Sequence, residues 1–245
     1  MTAQSTSSSD VARQVAENIS HIRGRIAEAA KRADRDSAGI TLMAVTKTQP
    51  ADKIIAAYEA GIRSFGENRV QEFAAKREPL SDLPDATFAL IGQLQSNKVN
   101  KAIELFSAIH SVDSLRLAER INAAIERSER EPLPVAIEIN TGDPAKAGLS
   151  PDSPELEQIL ISAPRLAHLR ITGLMTIPPF TENPEGARPY FRRLRELRDT
   201  IASRRLSGIS TELLSMGMSH DFEVAIEEGS TCVRVGTAIF GERKP

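Results

Sequence analysis

Lys47 is the sharpest chemical feature of the chain. It follows the apolar run Ala44-Val45-Thr46 directly. An amine at the end of such a run stands where water is thin, and desolvation disfavours an ammonium. An amine so placed can attack a carbonyl and form a Schiff base. A solvated lysine in a strand-end loop is the plain alternative. A second feature is a pair of segments, Ser215-Met216-Gly217-Met218-Ser219 and Arg234-Val235-Gly236-Thr237. Gly217 and Gly236 permit close backbone approach, and Ser215, Ser219 and Thr237 bring hydroxyl donors. A helix opening near Ser219 would add free N–H groups, so the pair suits a phosphate. Turn chemistry, with Ser219 as an ordinary N-cap, competes with that reading. Asp221, in the same first turn, would repel an anion unless its carboxylate points away. Arg234 shares a strand face with position 236. Facing inward, its guanidinium needs a partner, either a ligand's ring nitrogen or an acidic neighbour such as Glu138.

These residues need elements to hold them. Eight short apolar runs lie between Ile40 and Gly236: residues 40–46, 63–67, 87–92, 105–112, 134–140, 169–175, 211–217 and 232–236. Helical patterns separate them, such as Ile54, Ile55, Ala57, Tyr58 and Leu115, Leu117, Ile121, Ile125. Each unit takes about 25 residues, the size of a strand plus a helix. Strands alternating with helices predict a parallel sheet. Eight units predict a single (β/α)8 barrel, with an open doubly wound sheet as the alternative. In a barrel the function sits at the C-terminal strand ends, where Lys47, Asn68, Gln93, Glu138, Thr176 and the two glycine segments all fall. An extra N-terminal helix is predicted from Asp10 to about Arg35, with Val11, Val15, Ile19, Ile22 and Ile26 on one face. Residues 1–9 read as a disordered Ser/Thr-rich tail, and residues 10–245 as one domain. The chain ends nine residues after Gly236, so a second domain is not expected there.

Composition removes several classes. The chain has 245 residues, 40% of them hydrophobic, with 31 Lys and Arg against 33 Asp and Glu. That balance argues against a nucleic-acid binder. No run approaches the roughly 18 apolar residues of a membrane span. The polar N-terminus lacks the apolar core of a secretory signal. The one cysteine, Cys232, excludes internal disulfides and multi-cysteine metal sites, and reads as a small buried residue. His21, His110, His168 and His220 lack metal-ligand spacing, so no metal is expected. No GxxxxGK[ST] or GxGxxG loop is present. His220 and Asp221, being adjacent, make no triad by themselves. The Arg-rich helix around 188–205 reads first as a solvated or ion-paired face. A cytoplasmic monomer is the resulting expectation.

Seven segments occur in order that together carry a resemblance: AVTKTQP (44–50), FGENRVQE (65–72), IGQLQSNK (91–98), IHSVDS (109–114), EINTGDPAKAGL (138–149), GLMTIPP (173–179) and SMGMSHDFEVAIEEGSTCVRVGTAIFG (215–241). They resemble the pyridoxal 5'-phosphate homeostasis proteins, the YggS/PROSC-type family, from about residue 10 to 243. The last segment and AVTKT are the specific ones. The resemblance implies a barrel like the N-terminal domain of alanine racemase. It implies pyridoxal 5'-phosphate held covalently as a Schiff base on Lys47. It places the phosphate against Ser215, Gly217, Met218, Ser219, Gly236 and Thr237, and Arg234 near the pyridine nitrogen. Asn68 would line the pocket.

Three functions share these parts. A carrier or buffer of pyridoxal phosphate uses a covalent yet reversible bond and hands the cofactor to apo-enzymes by transient contact. A racemase or other pyridoxal phosphate enzyme needs a base on each face of the cofactor. Tyr58 and Tyr190 lie in helical patterns, away from strand ends. An arginine at the ring nitrogen would also weaken the electron sink. A Schiff-base aldolase would use the same lysine and phosphate site. The carrier without robust catalysis is the favoured expectation.

Overall fold

The computed structural model describes residues 8–142 and 147–242. Eight strands alternate with helices, each near its predicted run. β1 (Thr41–Val45) leads to α2 (Ala51–Glu59), after the N-terminal helix α1 (Ser8–Arg32). β2 (Ser64–Glu67), α3 (Val70–Lys76), β3 (Thr87–Leu90), α4 (Val99–Leu105), β4 (Ala108–Val112) and α5 (Leu115–Arg127) follow. Then come β5 (Leu133–Glu138), α6 (Pro154–Ser162), β6 (Leu169–Met175), α7 (Arg188–Ser203), β7 (Ile209–Met218), α8 (Phe222–Glu227), β8 (Cys232–Val235) and α9 (Thr237–Phe240). All strand pairs are parallel and in sequence order, and β8 pairs back onto β1. The sheet is a closed barrel, which decides against the open alternative.

Strand parity sorts the side chains into two layers. Met43, Val45, Ala89, Ile91 and Cys232 form one small cluster, the barrel lumen. The residues between them, such as Ala44, Phe65, Leu90, Val233 and Val235, join the larger core between strands and helices. Within that core Phe65, Phe88, Phe73 and Phe106 run as a chain of ring contacts 4.7–5.1 Å apart. Local signals fix several helix starts. Ser114 caps α5 by accepting from the Leu117 amide at 3.3 Å, and Ser153 caps α6 from Leu156 at 3.2 Å.

α1 starts at Ser8, two residues inside the stretch expected as tail, while residues 1–7 lie outside the described residues. It ends at Arg32, where Asp34 turns to φ +52°. Val15, Ile19, Ile22 and Ile26 are buried as the spacing predicts, against α2, α8 and α9. The extra helix thus seals the barrel wall beside the β1–β8 seam.

Two glycines let the chain approach itself at the strand ends. Gly217 has φ +92°, and a Cβ there would lie 2.5 Å from Ala225 Cβ and 2.9 Å from Phe222 Cα. α8 therefore packs flat on the end of β7. At Gly92 a Cβ would lie 2.3 Å from the Asn68 carbonyl oxygen, so the loop after β3 rests on the backbone of Asn68. Gly217→Ala combines strain with overpacking and should cost about 2–4 kcal/mol, read as a fall in the urea unfolding midpoint. An unchanged midpoint would refute the close packing of α8 on β7.

Candidate functional site

Register places Lys47 between two other predicted residues. Val45 pairs with Gly66, and the Thr46 amide donates to the Gly66 carbonyl at 2.9 Å. Two residues further on, Lys47 and Asn68 leave neighbouring strands side by side. Asn68 Oδ1 is buried and has no hydrogen-bond partner, which is what a residue lining a ligand site would leave. On the other flank, a Cβ on Gly236 would touch the Val45 carbonyl at 3.2 Å, so Gly236 and Thr237 border the Lys47 loop. Lys47 itself is half-buried.

Arg234 lies in the lumen beneath this rim, 3% exposed. Its Nη1 donates to Ser215 Oγ at 2.8 Å and its Nη2 to the Thr176 carbonyl at 2.7 Å. Thr176 is itself held, its hydroxyl donating to the Ile139 carbonyl at 2.7 Å. Both partners of the guanidinium are neutral. Glu138 and Asp221 act on it only through space, against the burial that draws its pKa below the ordinary arginine value. The sequence reading put Ser215 on a phosphate. The structure buries Ser215 completely, one layer below Gly217, with its hydroxyl committed to Arg234. Its place is that of a support for Arg234.

The glycine segments meet at the ends of β7 and β8, where Met218 pairs with Arg234. Ser219 Oγ accepts from the Gly236 amide at 3.3 Å and from the Ala238 amide at 3.4 Å, tying the two loops together. Ser219 is thus no N-cap of α8. The N-cap is Asp221, and the helix begins at Phe222, three residues later than expected. Asp221 turns to the backbone, where Oδ1 accepts the Met218 amide at 2.6 Å. That amide is engaged within the loop. Burial raises the Asp221 carboxyl above the ordinary range, against the pull of this hydrogen bond and of Arg234. Thr237 opens α9 with an exposed side chain. His220 stacks beside the exposed Phe180, ring centroids 5.6 Å apart, and its Nε2 sits 3.1 Å from the Thr181 and Glu182 carbonyls.

Sequence reasoning missed two buried groups and undervalued a third. His110 on β4 is buried with Nδ1 unpartnered, and burial with the Arg234 charge lowers its pKa to about 4. It is neutral at physiological pH. Asp113, beyond β4, is raised by burial, against a hydrogen bond from the Gln93 side chain. Glu138 is 5% exposed, and burial with the Asp113 charge pushes it to about 7, against Arg234. The inward parity of positions 136 and 138 was the readable signal. Cys232 is buried in the lumen, and burial raises its thiol to about 11, so it is inert. Tyr58 stacks on Arg63 at 4.0 Å, at the opposite end of the barrel from Lys47. Tyr190 is on α7 as its pattern implies, but its ring packs on Gly142 in the loop after β5. No group of three or more His, Cys, Asp or Glu among the described residues could hold a metal.

The family model described as alanine racemase, N-terminal domain matches residues 18–244. A pyridoxal phosphate homeostasis protein of Aquifex aeolicus is 44% identical over 93% of this chain and 98% of its own length. The protein of the same name from Pseudomonas aeruginosa is 41% identical over 94% of this chain and 96% of its own. PipY of Synechococcus elongatus, solved with PLP bound, superposes with a TM-score of 0.80 at 37% identity, over 93% of this chain and all of that one.

The raised Glu138 carboxyl has a thermodynamic consequence. Its ordinary value of 4.5 applies to the unfolded chain, and about 7 to the folded one. Ionising it therefore opposes folding, by an amount that grows as pH rises from about 4.5 and levels off above about 7. Glu138→Gln should gain stability relative to wild type across that window and hold the gain at higher pH. Urea midpoints of both proteins from pH 5 to 8.5 read it, and a constant difference would contradict the raised value.

Proposed function

Because the chain belongs to the alanine racemase N-terminal domain family, and within it to the pyridoxal phosphate homeostasis proteins, we propose that it binds pyridoxal 5'-phosphate on Lys47 and holds it for release. The observation that carries this reading is the register that sets Lys47 between Asn68 and the Gly236–Thr237 turn, with Arg234 beneath. When bound, the group supplies an electrophilic aldehyde on an electron-withdrawing ring. Lys47 would hold the group through its Nζ, in a C=N bond whose formation releases one water and whose hydrolysis returns both partners, so storage and release would use one bond.

The other residues bind and orient. Gly217 and Gly236 leave room for a phosphate at the ends of β7 and β8, with Ser219 and Thr237 beside it. Met218 contributes its backbone to the same turn. Arg234, held by Ser215 and the Thr176 carbonyl, would offer N–H donors to the ring nitrogen and disfavour its protonation. Asn68 Oδ1 is the acceptor left for the ligand. No helix among the described residues is long and apolar enough to cross a membrane. We read the chain as a cytoplasmic monomer that meets apo-enzymes transiently.

Racemisation is the second reading, and the geometry weighs against it. A guanidinium at the ring nitrogen withholds the proton that strengthens the carbanion sink. Tyr58 lies at the far end of the barrel from Lys47, while Tyr190 packs on Gly142 in the loop after β5, so Tyr190 is the one tyrosine at the mouth end of the barrel. L- or D-alanine incubated with the loaded protein should keep its enantiomer composition over hours by chiral chromatography. Turnover near 1 s⁻¹ would make the protein an enzyme.

Lys47→Ala should lose the visible absorbance of the lysine–ligand bond and the borohydride-trapped adduct, while its circular dichroism stays native. Transfer of the cofactor from the wild-type protein to an apo-enzyme should be measurable as recovered activity. A trapped adduct on another lysine would overturn the assignment.

A further inference from the structure

Lys76 is a largely buried cation on the outer side of the barrel wall, and two of its partners are carbonyls of the turn that carries Lys47. It ends α3, with its side chain 12% exposed. Its Nζ lies 2.8 Å from Glu67 Oε1, 2.8 Å from the Thr46 carbonyl, 3.2 Å from Glu72 Oε1 and 3.4 Å from the Gln49 carbonyl. The Glu67 side chain is wholly buried, and its Oε1 also accepts the Thr46 hydroxyl at 2.5 Å. Glu72 Oε1 accepts the Thr48 amide at 2.5 Å. One ammonium and two carboxylates therefore hold Thr46, Thr48 and Gln49. Lys47 is the residue they enclose.

The turn needs holding. Thr48 has φ +62°, a left-handed conformation that a β-branched residue resists. A second turn bond, from the Gln49 amide to the Thr46 carbonyl at 3.0 Å, closes it. A buried ion pair is a weak source of net stability, because desolvation offsets the attraction. Geometric specification of the turn gives this cluster its use. The two carboxyls respond differently. Burial raises Glu67, with Lys76 and Thr46 opposing, while Glu72 is held below its ordinary range despite partial burial, by the Thr48 amide and Lys76.

We propose that Lys76, with Glu67 and Glu72, is a positioning cluster that fixes the 46–49 turn and so aims the Lys47 amine at the aldehyde carbon of bound pyridoxal phosphate. This rests on the reading of Lys47 given above. The cluster touches no ligand. Its loss should therefore weaken the covalent bond and spare recognition of the phosphate and ring.

Two probes separate those effects in the full-length protein. Pyridoxal phosphate reports both, whereas 4'-deoxypyridoxine phosphate lacks the aldehyde and reports recognition alone. Lys76→Met should bind pyridoxal phosphate about tenfold more weakly, with the deoxy analogue within about twofold of wild type. Lys76→Arg, whose donors can reach the same carbonyls, should recover part of the loss. Glu72→Gln lies on the accessible side of α3 and should shift the same way by less, which decides the matter if Lys76→Met does not fold. Equal weakening of both ligands would reduce the cluster to general stability, and unchanged affinity for both would remove it altogether. A wild-type protein with no borohydride adduct on Lys47 would sink the Lys47 reading first, and this one with it.

Discussion

The β1–β8 ladder is the constraint on which the site depends. It pairs Thr41 with Cys232 and Ala44 with Val235, joining residues almost two hundred positions apart. Without that seam Gly236 would not touch the Val45 carbonyl, and Lys47 would have no neighbour from the last strand. Parallel pairing in unbroken order also fixes which residues face the lumen. Arg234, Ser215 and Cys232 are buried together because closure leaves them no other direction. α1 supports the same seam from outside through its contacts with α2, α8 and α9.

A guanidinium in a protein lumen is costly unless its donors are satisfied. Here the satisfaction comes from a hydroxyl and a carbonyl, and among the described residues the guanidinium has no salt-bridge partner. The surroundings respond. Glu138 and Asp113 resist ionisation in the same interior, and His110 stays neutral. The lumen thus groups polar side chains around one guanidinium.

Much of this was legible in the chain. The eight strands follow from apolar runs at regular spacing, and β6 matches its run residue for residue. The stripe on α1 follows from spacings of three and four. The details that escaped are those in which a side chain reaches across the fold. Ser215 and Ser219 look alike in sequence, yet strand parity and one layer of depth give the first to Arg234 and the second to the amides of the next loop. Asp221 reads as an anion facing a possible phosphate until its bond to the Met218 amide is seen. Lys76 stands four residues after Glu72, an ordinary spacing for an exposed helical ion pair. Its burial depends on the Thr46 carbonyl, 30 residues earlier. No local pattern encodes that distance, because it is set by how α3 leans on the strand ends.

The hydroxyl of Ser219 takes two backbone amides from the opposite loop. Asp221 does the same for the Met218 amide within its own loop. Three amides at the ends of β7 and β8 are thus held by two side-chain oxygens of the turns themselves. Because Ser219 bonds across, the position of one turn sets that of the other, and a change made in either is felt in both.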